Sequence, residues 1–146
     1  MTPTTLTAAA RAALAPPPSP HIFGDHQTVP PESISALRLA YQTIIQQLRT
    51  PATAAQGLLD WAETLVTASM IAETIDRGVP ELQPHIDDMH RLAVELEHTG
   101  QVLIDAAQYL RLIDAADVID SLMRLAPHDV VLACAYRSEA MRREKP

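Results

Sequence analysis

The residue types best suited to chemistry in this chain lie together in residues 81–98. Glu81, His85, Asp88 and Glu95 are separated by four, three and seven residues, which places them on one side of a helix. Carboxylates and imidazole rings at this spacing hold metal ions in helical bundles when a second helix supplies further ligands. Since no comparable set recurs on a second predicted helix, the alternative is a solvated polar face, and we predict neither a metal nor another cofactor.

A second pattern overlaps the first. Arg91 and His98 lie seven residues apart on the same polar face, and the pair resembles the short arginine-to-histidine motif of the HEPN ribonuclease superfamily, whose members are all-α bundles. The resemblance implies a ribonuclease in which Arg91 and His98 act on RNA. The structural alternative is that Asp87 or Asp88 pairs with Arg91 at helical spacing.

The charge distribution favours a different kind of partner. The net charge is −7, and residues 51–126 carry thirteen acidic residues against four arginines, whereas the segments before and after carry +1 each. Such a surface repels phosphate backbones and attracts basic proteins. We therefore expect no nucleic acid and a protein partner with a basic surface, although acidic residues can also serve solubility alone.

Other classes of function find little support in the sequence. It has no glycine-rich phosphate loop and no Gly-x-Ser-x-Gly nucleophile motif. The single cysteine, Cys134, lies in an apolar run, which predicts a buried thiol and a reducing compartment. No apolar run has the length of a membrane span, and the N-terminal residues lack the basic start of a secretion signal. These features predict a cytoplasmic protein without membrane contact.

The elements that position these residues are organised around residues 53–77. Apolar and small residues recur there at alternating spacings of four and three, which predicts a core-facing helical seam. The seam consists of Leu58, Ala62, Leu65, Ser69 and Ala72. Apolar residues continue on both flanks, with Leu59, Val66 and Met70 on one and Trp61, Ala68 and Ile75 on the other. We expect a central helix covered on two or three sides, with Asp60 and Thr67 on its polar strip.

Four further segments, which include residues 101–126, have helical patterns. Residues 32–49 show core spacing at Ile34, Leu37, Tyr41, Ile44, Ile45 and Leu48. Thr53 with Gln56 predicts a capping box for the central helix, and Gly78 predicts its left-handed carboxyl cap. A third helix runs from Glu81 or Pro84 to His98, and a last one covers residues 130–143.

Residues 101–126 allow two interpretations. As one straight helix, the segment would face the core with Leu103, Ala106, Leu110 and Ile113 in its first half and with a different side in its second half. A break near Ile113, with Asp114 as the N-cap of a second helix, removes this conflict. The change of face favours two helices here, which would give a bundle of six, while one straight helix would give a bundle of five.

Residues 1–31 differ in composition from the rest. The run APPPSP predicts an extended spacer, and Ile22 and Phe23 stand beyond it among polar residues, glycine and proline. Because solvating both side chains forfeits about 1.5–3 kcal/mol each, we expect them to anchor the arm, either on this bundle or on another chain, and we take them as the candidate partner-binding residues.

Together these patterns predict an all-α bundle of five to six helices, with a flexible proline-rich arm (1–31) and one domain (32–146). The expected function is a noncatalytic protein–protein interaction module, such as an adaptor, inhibitor or immunity-like protein. The alternatives are an enzyme or metal-binding bundle that uses the face of Glu81 to Glu95, or a HEPN-like ribonuclease. The extensive apolar surface of the central and last helices also predicts a homodimer.

Overall fold

The computed structural model describes residues 27–144, which form five α-helices joined by short connections. We label them α1 (Pro31–Leu48), α2 (Ala54–Ile75), α3 (Val79–Thr99), α4 (Ala106–Leu125) and α5 (His128–Glu144). Within this range the only β pairing is an isolated antiparallel bridge between Thr28 and Pro127. The predicted all-α fold is confirmed, whereas Ile22 and Phe23 lie outside the described residues.

Helix α1 forms as its apolar spacing predicts. Pro31 occupies the first helical position, where its missing N–H costs no hydrogen bond. All six predicted core residues are buried, namely Ile34, Leu37, Tyr41, Ile44, Ile45 and Leu48. The helix therefore presents one continuous apolar face to the rest of the bundle.

The turn between α1 and α2 does not contain the predicted capping box. The Thr53 hydroxyl donates to the Gln47 carbonyl at 2.9 Å, back toward α1, and makes no cap hydrogen bond to α2. Close packing follows immediately, because a β-carbon on Gly57 would lie 3.0 Å from the Leu48 backbone nitrogen. Glycine thus allows α2 to approach the end of α1 more closely than another residue would permit.

Helix α2 contacts each of the other four helices, as expected of the central helix. Its seam residues Leu58, Leu65 and Ala72 are buried, and so are Trp61, Ala68 and Ile71. The flank with Trp61 and Ala68 is buried, whereas the other flank is partly open. Leu59 is 66% exposed and Val66 is 41% exposed, because the helices packed around α2 leave this side open.

The junction between α2 and α3 uses two left-handed residues. Asp76 (φ 55°) is the carboxyl cap of α2, and the Arg77 N–H donates to the Ala72 carbonyl at 3.0 Å. Gly78 (φ 85°) instead precedes the first residue of α3, so its predicted role as the cap of α2 is wrong. A β-carbon there would lie 2.7 Å from a Leu122 methyl group, which shows how closely α4 packs against this turn.

Helix α3 begins earlier than the sequence indicates, at Val79. Pro80 lies in the first turn, where a proline is tolerated, and Pro84 lies inside the helix. Leu82, Met89 and Leu92 face the core. Leu92 is fully buried.

Helix α4 is a single helix, and the predicted break near Ile113 is wrong. Asp105, not Asp114, is its N-cap, because the Asp105 Oδ1 atom accepts a hydrogen bond from the Gln108 N–H at 2.7 Å. The core face consists of Leu112, Ala115, Ala116, Ile119, Leu122 and Met123. Leu103 and Leu110, expected to face inward, are exposed. The polar pattern misled because Gln108 and Asp120 are buried.

Helix α5 packs antiparallel to α2. The Thr74 hydroxyl lies 3.9 Å from the Cys134 sulfur, and the Glu63 carboxylate lies 3.4 Å from the Arg142 guanidinium. The helix begins beside residue 27, whose carbonyl accepts a hydrogen bond from the His128 N–H. The buried Cys134 confirms the expected environment of the thiol. None of the helices in residues 27–144 combines the length and the apolar character needed to cross a bilayer.

Candidate functional site

The chemistry-bearing residues of α3 lie against the first turns of α4. Asp88, Arg91 and Glu95 project from α3, and Gln108 and Arg111 project from α4. We call these five residues the α3–α4 polar cluster. Its position follows from the N-cap at Asp105, which begins α4 where Gln108 points back toward α3.

Gln108 is the centre of this cluster and is only 2% exposed. Its Nε2 atom donates to the Asp88 Oδ2 atom at 2.6 Å. Its Oε1 atom accepts from the Arg111 Nη2 atom at 2.8 Å and also from Arg91. Both ends of the amide are therefore engaged, which is what a buried polar group needs to avoid a desolvation penalty.

Asp88 receives both arginines of the cluster. Its Oδ1 atom accepts from the Arg91 Nη2 atom at 2.9 Å and lies 3.5 Å from the Arg111 Nε atom. Its side chain is largely sheltered, and a sheltered carboxylate is strongly destabilising unless cations and hydrogen-bond donors compensate for its lost water. The two guanidinium groups thus neutralise an internal carboxylate that joins α3 to α4.

Glu95 extends the cluster to the segment that precedes α4. One carboxylate oxygen lies 3.4 Å from the Arg91 Nη1 atom, and the other accepts a hydrogen bond from the Leu103 N–H at 3.2 Å. The side chain therefore holds the non-helical residues 101–105 against α3. The chemistry available here is ion pairing and hydrogen bonding between helices.

The candidate metal-ligating set is not assembled. Asp88 and Glu95 both face Arg91, whose positive charge opposes a bound cation, and Glu81 is exposed. His85 instead lies 3.3 Å from the Asp114 carboxylate of α4. In the part of the chain that the structure describes, no three histidine, cysteine or acidic residues are placed to hold a metal ion.

The two residues of the candidate ribonuclease pair also have different contacts. Arg91 is held by Asp88, Glu95 and Gln108, whereas His98 is exposed in the last turn of α3. The expected structural pairing of Arg91 with Asp88 is confirmed. Asp87 instead accepts a hydrogen bond from Gln83 at 2.9 Å.

A second ion-pair group connects α1 to α4. Arg38 lies 2.8 Å from Asp117 and 3.4 Å from Asp120, and Arg124 donates to Asp120 at 2.9 Å. Tyr41 is buried nearby. Burial raises the pKa of its phenol well above the ordinary value, and the Asp120 carboxylate raises that pKa further.

Two further carboxylates are buried, Asp60 on α2 and Glu139 on α5. Asp60 is 3% exposed and accepts a hydrogen bond from Gln56 at 3.1 Å, while Glu139 accepts one from Arg143 at 2.8 Å. The expected position of Asp60 on the outer polar strip of α2 is therefore wrong. Sequence reasoning missed Asp60, Gln108, Asp120 and Glu139 as interior residues, because nothing in their local sequence distinguishes them from surface residues.

The exposed surface contrasts with these internal groups. In residues 51–126, eight of the thirteen acidic residues are exposed, namely Glu73, Asp76, Glu81, Asp87, Glu97, Asp105, Asp114 and Asp117. Three of the four arginines in the same interval, Arg91, Arg111 and Arg124, pair with the sheltered carboxylates of Asp88 or Asp120. The arginines therefore leave most of the exposed negative charge uncompensated.

A mostly apolar strip on α2 interrupts this acidic surface. It follows α2 along its uncovered side and consists of Leu59, Ala62, Val66, Met70 and Glu73. We call it the α2 outer strip. Leu59, Val66 and Glu73 are exposed, and the other two are partly buried.

The chain matches no protein-family model, no curated protein and no solved structure with which it was compared.

Proposed function

We propose that this protein is a noncatalytic helical interaction module that binds a basic protein partner, in the manner of an adaptor, inhibitor or immunity-like protein. The observation that carries the proposal is the use of charge in residues 51–126. Arginines face the sheltered carboxylates, and acidic side chains face solvent. A field of this sign speeds the encounter with a positively charged surface and disfavours nucleic acid.

The internal use of the candidate catalytic residues supports the same proposal. Asp88 and Gln108 are sheltered, and their polar atoms bond to each other and to Arg91 and Arg111. A group that serves as acid, base or ligand must be able to reach a substrate. The α3–α4 polar cluster is better suited to joining two helices than to turnover.

Ile22 and Phe23 remain the predicted anchor on the N-terminal side. The proline-rich residues between Ala15 and His21 predict an extended tether. A two-residue apolar anchor on such a tether can dock in a groove of a partner. The acidic bundle and the apolar anchor would then contribute separately to binding.

The experiment is affinity capture from a lysate of the source organism with the tagged full chain as bait, followed by cross-linking. We expect one enriched protein with a basic surface, and we expect its capture to weaken as salt rises from about 0.05 to about 0.5 M. The double variant Asp87→Lys, Glu97→Lys changes two exposed acids outside the polar cluster and should weaken capture. Glu144→Lys, which reverses an exposed acid outside residues 51–126, is the control. Capture of no protein beyond a control bait, or of one insensitive to salt and to the double variant, would contradict the proposal.

A further inference from the structure

The α2 outer strip has the spacing of a helix-binding seam. Its members, at positions 59, 62, 66, 70 and 73, recur every three or four residues and therefore share one side of α2. At 1.5 Å per residue the strip is about 21 Å long, or about four helical turns. Apolar side chains at this spacing are the usual receptor for the apolar face of a second helix.

The strip is open although α2 is otherwise the most enclosed helix. Leu59 and Val66 are exposed, while Leu58 and Leu65, their neighbours in sequence, are buried. Leu59 and Val66 do not belong to the underlying core, so substitutions at these two positions can be made without opening a cavity. Its apolar atoms lose water only if a further element covers them.

The charge at one end of the strip indicates which kind of helix could bind there. Glu73 ends the strip, and together with exposed Asp76 and Arg77 it gives this end of α2 a net charge of −1. The carboxyl end of the helix adds partial negative charge of its own. A lysine or arginine beside the apolar stripe of an incoming helix would be attracted to this end.

A second copy of the chain fits this strip poorly. Antiparallel pairing centred on Val66 would place Glu73 opposite Leu59 of the second copy, because the two positions are equally distant from residue 66. Parallel pairing would place Glu73 opposite its own counterpart. The first buries a carboxylate against an apolar group, and the second brings like charges together.

We infer that the α2 outer strip binds an amphipathic helix that carries lysine or arginine beside its apolar stripe. The inference rests on the proposed function and specifies where on the bundle the basic partner docks.

The test uses two synthetic helical peptides and the full chain. Both peptides carry leucine at every third or fourth position, one flanked by lysines and the other by glutamates. Fluorescence anisotropy is expected to show tighter binding of the lysine peptide. Leu59→Ser should weaken that binding by about tenfold or more, and Glu73→Lys should reduce the preference for the lysine peptide. Leu39→Ser is the matched control, because Leu39 is 64% exposed on α1, and it should change affinity by less than about twofold.

Several outcomes would overturn the inference. Equal loss in the Leu59 and Leu39 variants, or no loss in either, would remove the strip as the binding surface. Sedimentation that shows a dimer dissociated by Leu59→Ser would assign the strip to a second copy. A rise in peptide affinity on deletion of residues 1–26 would assign it to the chain's own N-terminal segment. If a captured partner binds Leu59→Ser as tightly as wild type, the docking site is wrong but the proposed function stands, whereas capture of no partner contradicts the proposed function itself.

Discussion

The α1–α2 hairpin and the α3–α4 pair are held together differently. Apolar side chains such as Ile44, Leu48 and Trp61 form the core of the hairpin, and Gly57 allows its two helices to approach closely. The α3–α4 pair adds to its apolar contacts a buried amide, Gln108, that binds Asp88 and two arginines. Apolar spacing therefore describes the first pair well and the second pair poorly.

This difference also bears on function. Residues that attract attention as acids, bases or metal ligands are concentrated in the second pair, where they bind one another. The α2 outer strip lies on the first pair, and its exposed apolar residues, Leu59 and Val66, carry no reactive groups. Residues of reactive types thus form the contact between α3 and α4, whereas exposed leucine and valine form the proposed binding surface.

A substitution in the apolar core of the α1–α2 hairpin should have the largest effect on the free energy of unfolding. Leu65 is 1% exposed in the centre of α2. Leu65→Ala should lower the free energy of unfolding by about 2–5 kcal/mol, because it removes buried methyl groups and leaves a cavity. Urea denaturation of the variant and the wild type measures the difference.

Thr67→Ala is the control on the same helix. Its hydroxyl only bonds back to the Glu63 carbonyl one turn earlier, so the change should fall within about 0.5 kcal/mol. Equal effects from the two substitutions would remove the basis for the assigned faces of α2.

A substitution in the α3–α4 polar cluster should have an intermediate effect on the free energy of unfolding. Gln108→Leu keeps the buried volume similar but leaves Asp88 and Arg111 without their amide partner. We expect a loss of about 1–3 kcal/mol in the free energy of unfolding. Gln83→Ala removes an exposed amide that bonds to Asp87 within one helix, and it should cost less than about 0.5 kcal/mol. A Gln108 variant as stable as the Gln83 variant would show that the cluster does not join α3 to α4.

Alkaline pH tests the contact between the two pairs at Tyr41. Burial raises the pKa of Tyr41 in the folded state, whereas the unfolded tyrosine ionises near its ordinary pKa of about 10. The stabilising preference for the neutral phenol is therefore fully present below about pH 10 and is lost as pH rises above it. Thermal melts from about pH 9 to about pH 11.5 should show a smaller decline for Tyr41→Phe than for wild type. Tyr136→Phe, at an exposed position, should keep the wild-type decline.

Deletion of the N-terminal segment should have the smallest effect on stability. Deleting residues 1–25 should leave the helical content and the melting temperature nearly unchanged, because the proline-rich sequence predicts a tether outside the core. The deletion should weaken capture of the basic partner, since it removes Ile22 and Phe23. Circular dichroism and affinity capture measure the two effects, and a markedly lower melting temperature would place these residues in the core of this domain.

The sequence predicts much of the fold where burial and apolar character coincide. The core face of α1, the helical state of α5 and the central position of α2 all follow from apolar spacing. The break predicted near Ile113 is wrong because polar residues usually mark the exposed side of a helix, whereas Gln108 and Asp120 of α4 are buried. Thr53 and Gly78 adopt roles set by the preceding helix end and by the close packing of α4, which are tertiary contacts that the local sequence does not encode. The same holds for the polar cluster, since no spacing pairs Gln108 with Asp88 across two helices.

The most direct measurement compares the affinity of the lysine peptide for Arg91→Gln with its affinity for Leu59→Ser. Arg91 belongs to the α3–α4 polar cluster, so its variant should bind the peptide within about twofold of wild type even where its melting temperature falls. Leu59→Ser should lose about tenfold or more while remaining as stable as wild type, because its side chain is exposed. Loss of binding in the Arg91 variant together with full binding in the Leu59 variant would contradict the account.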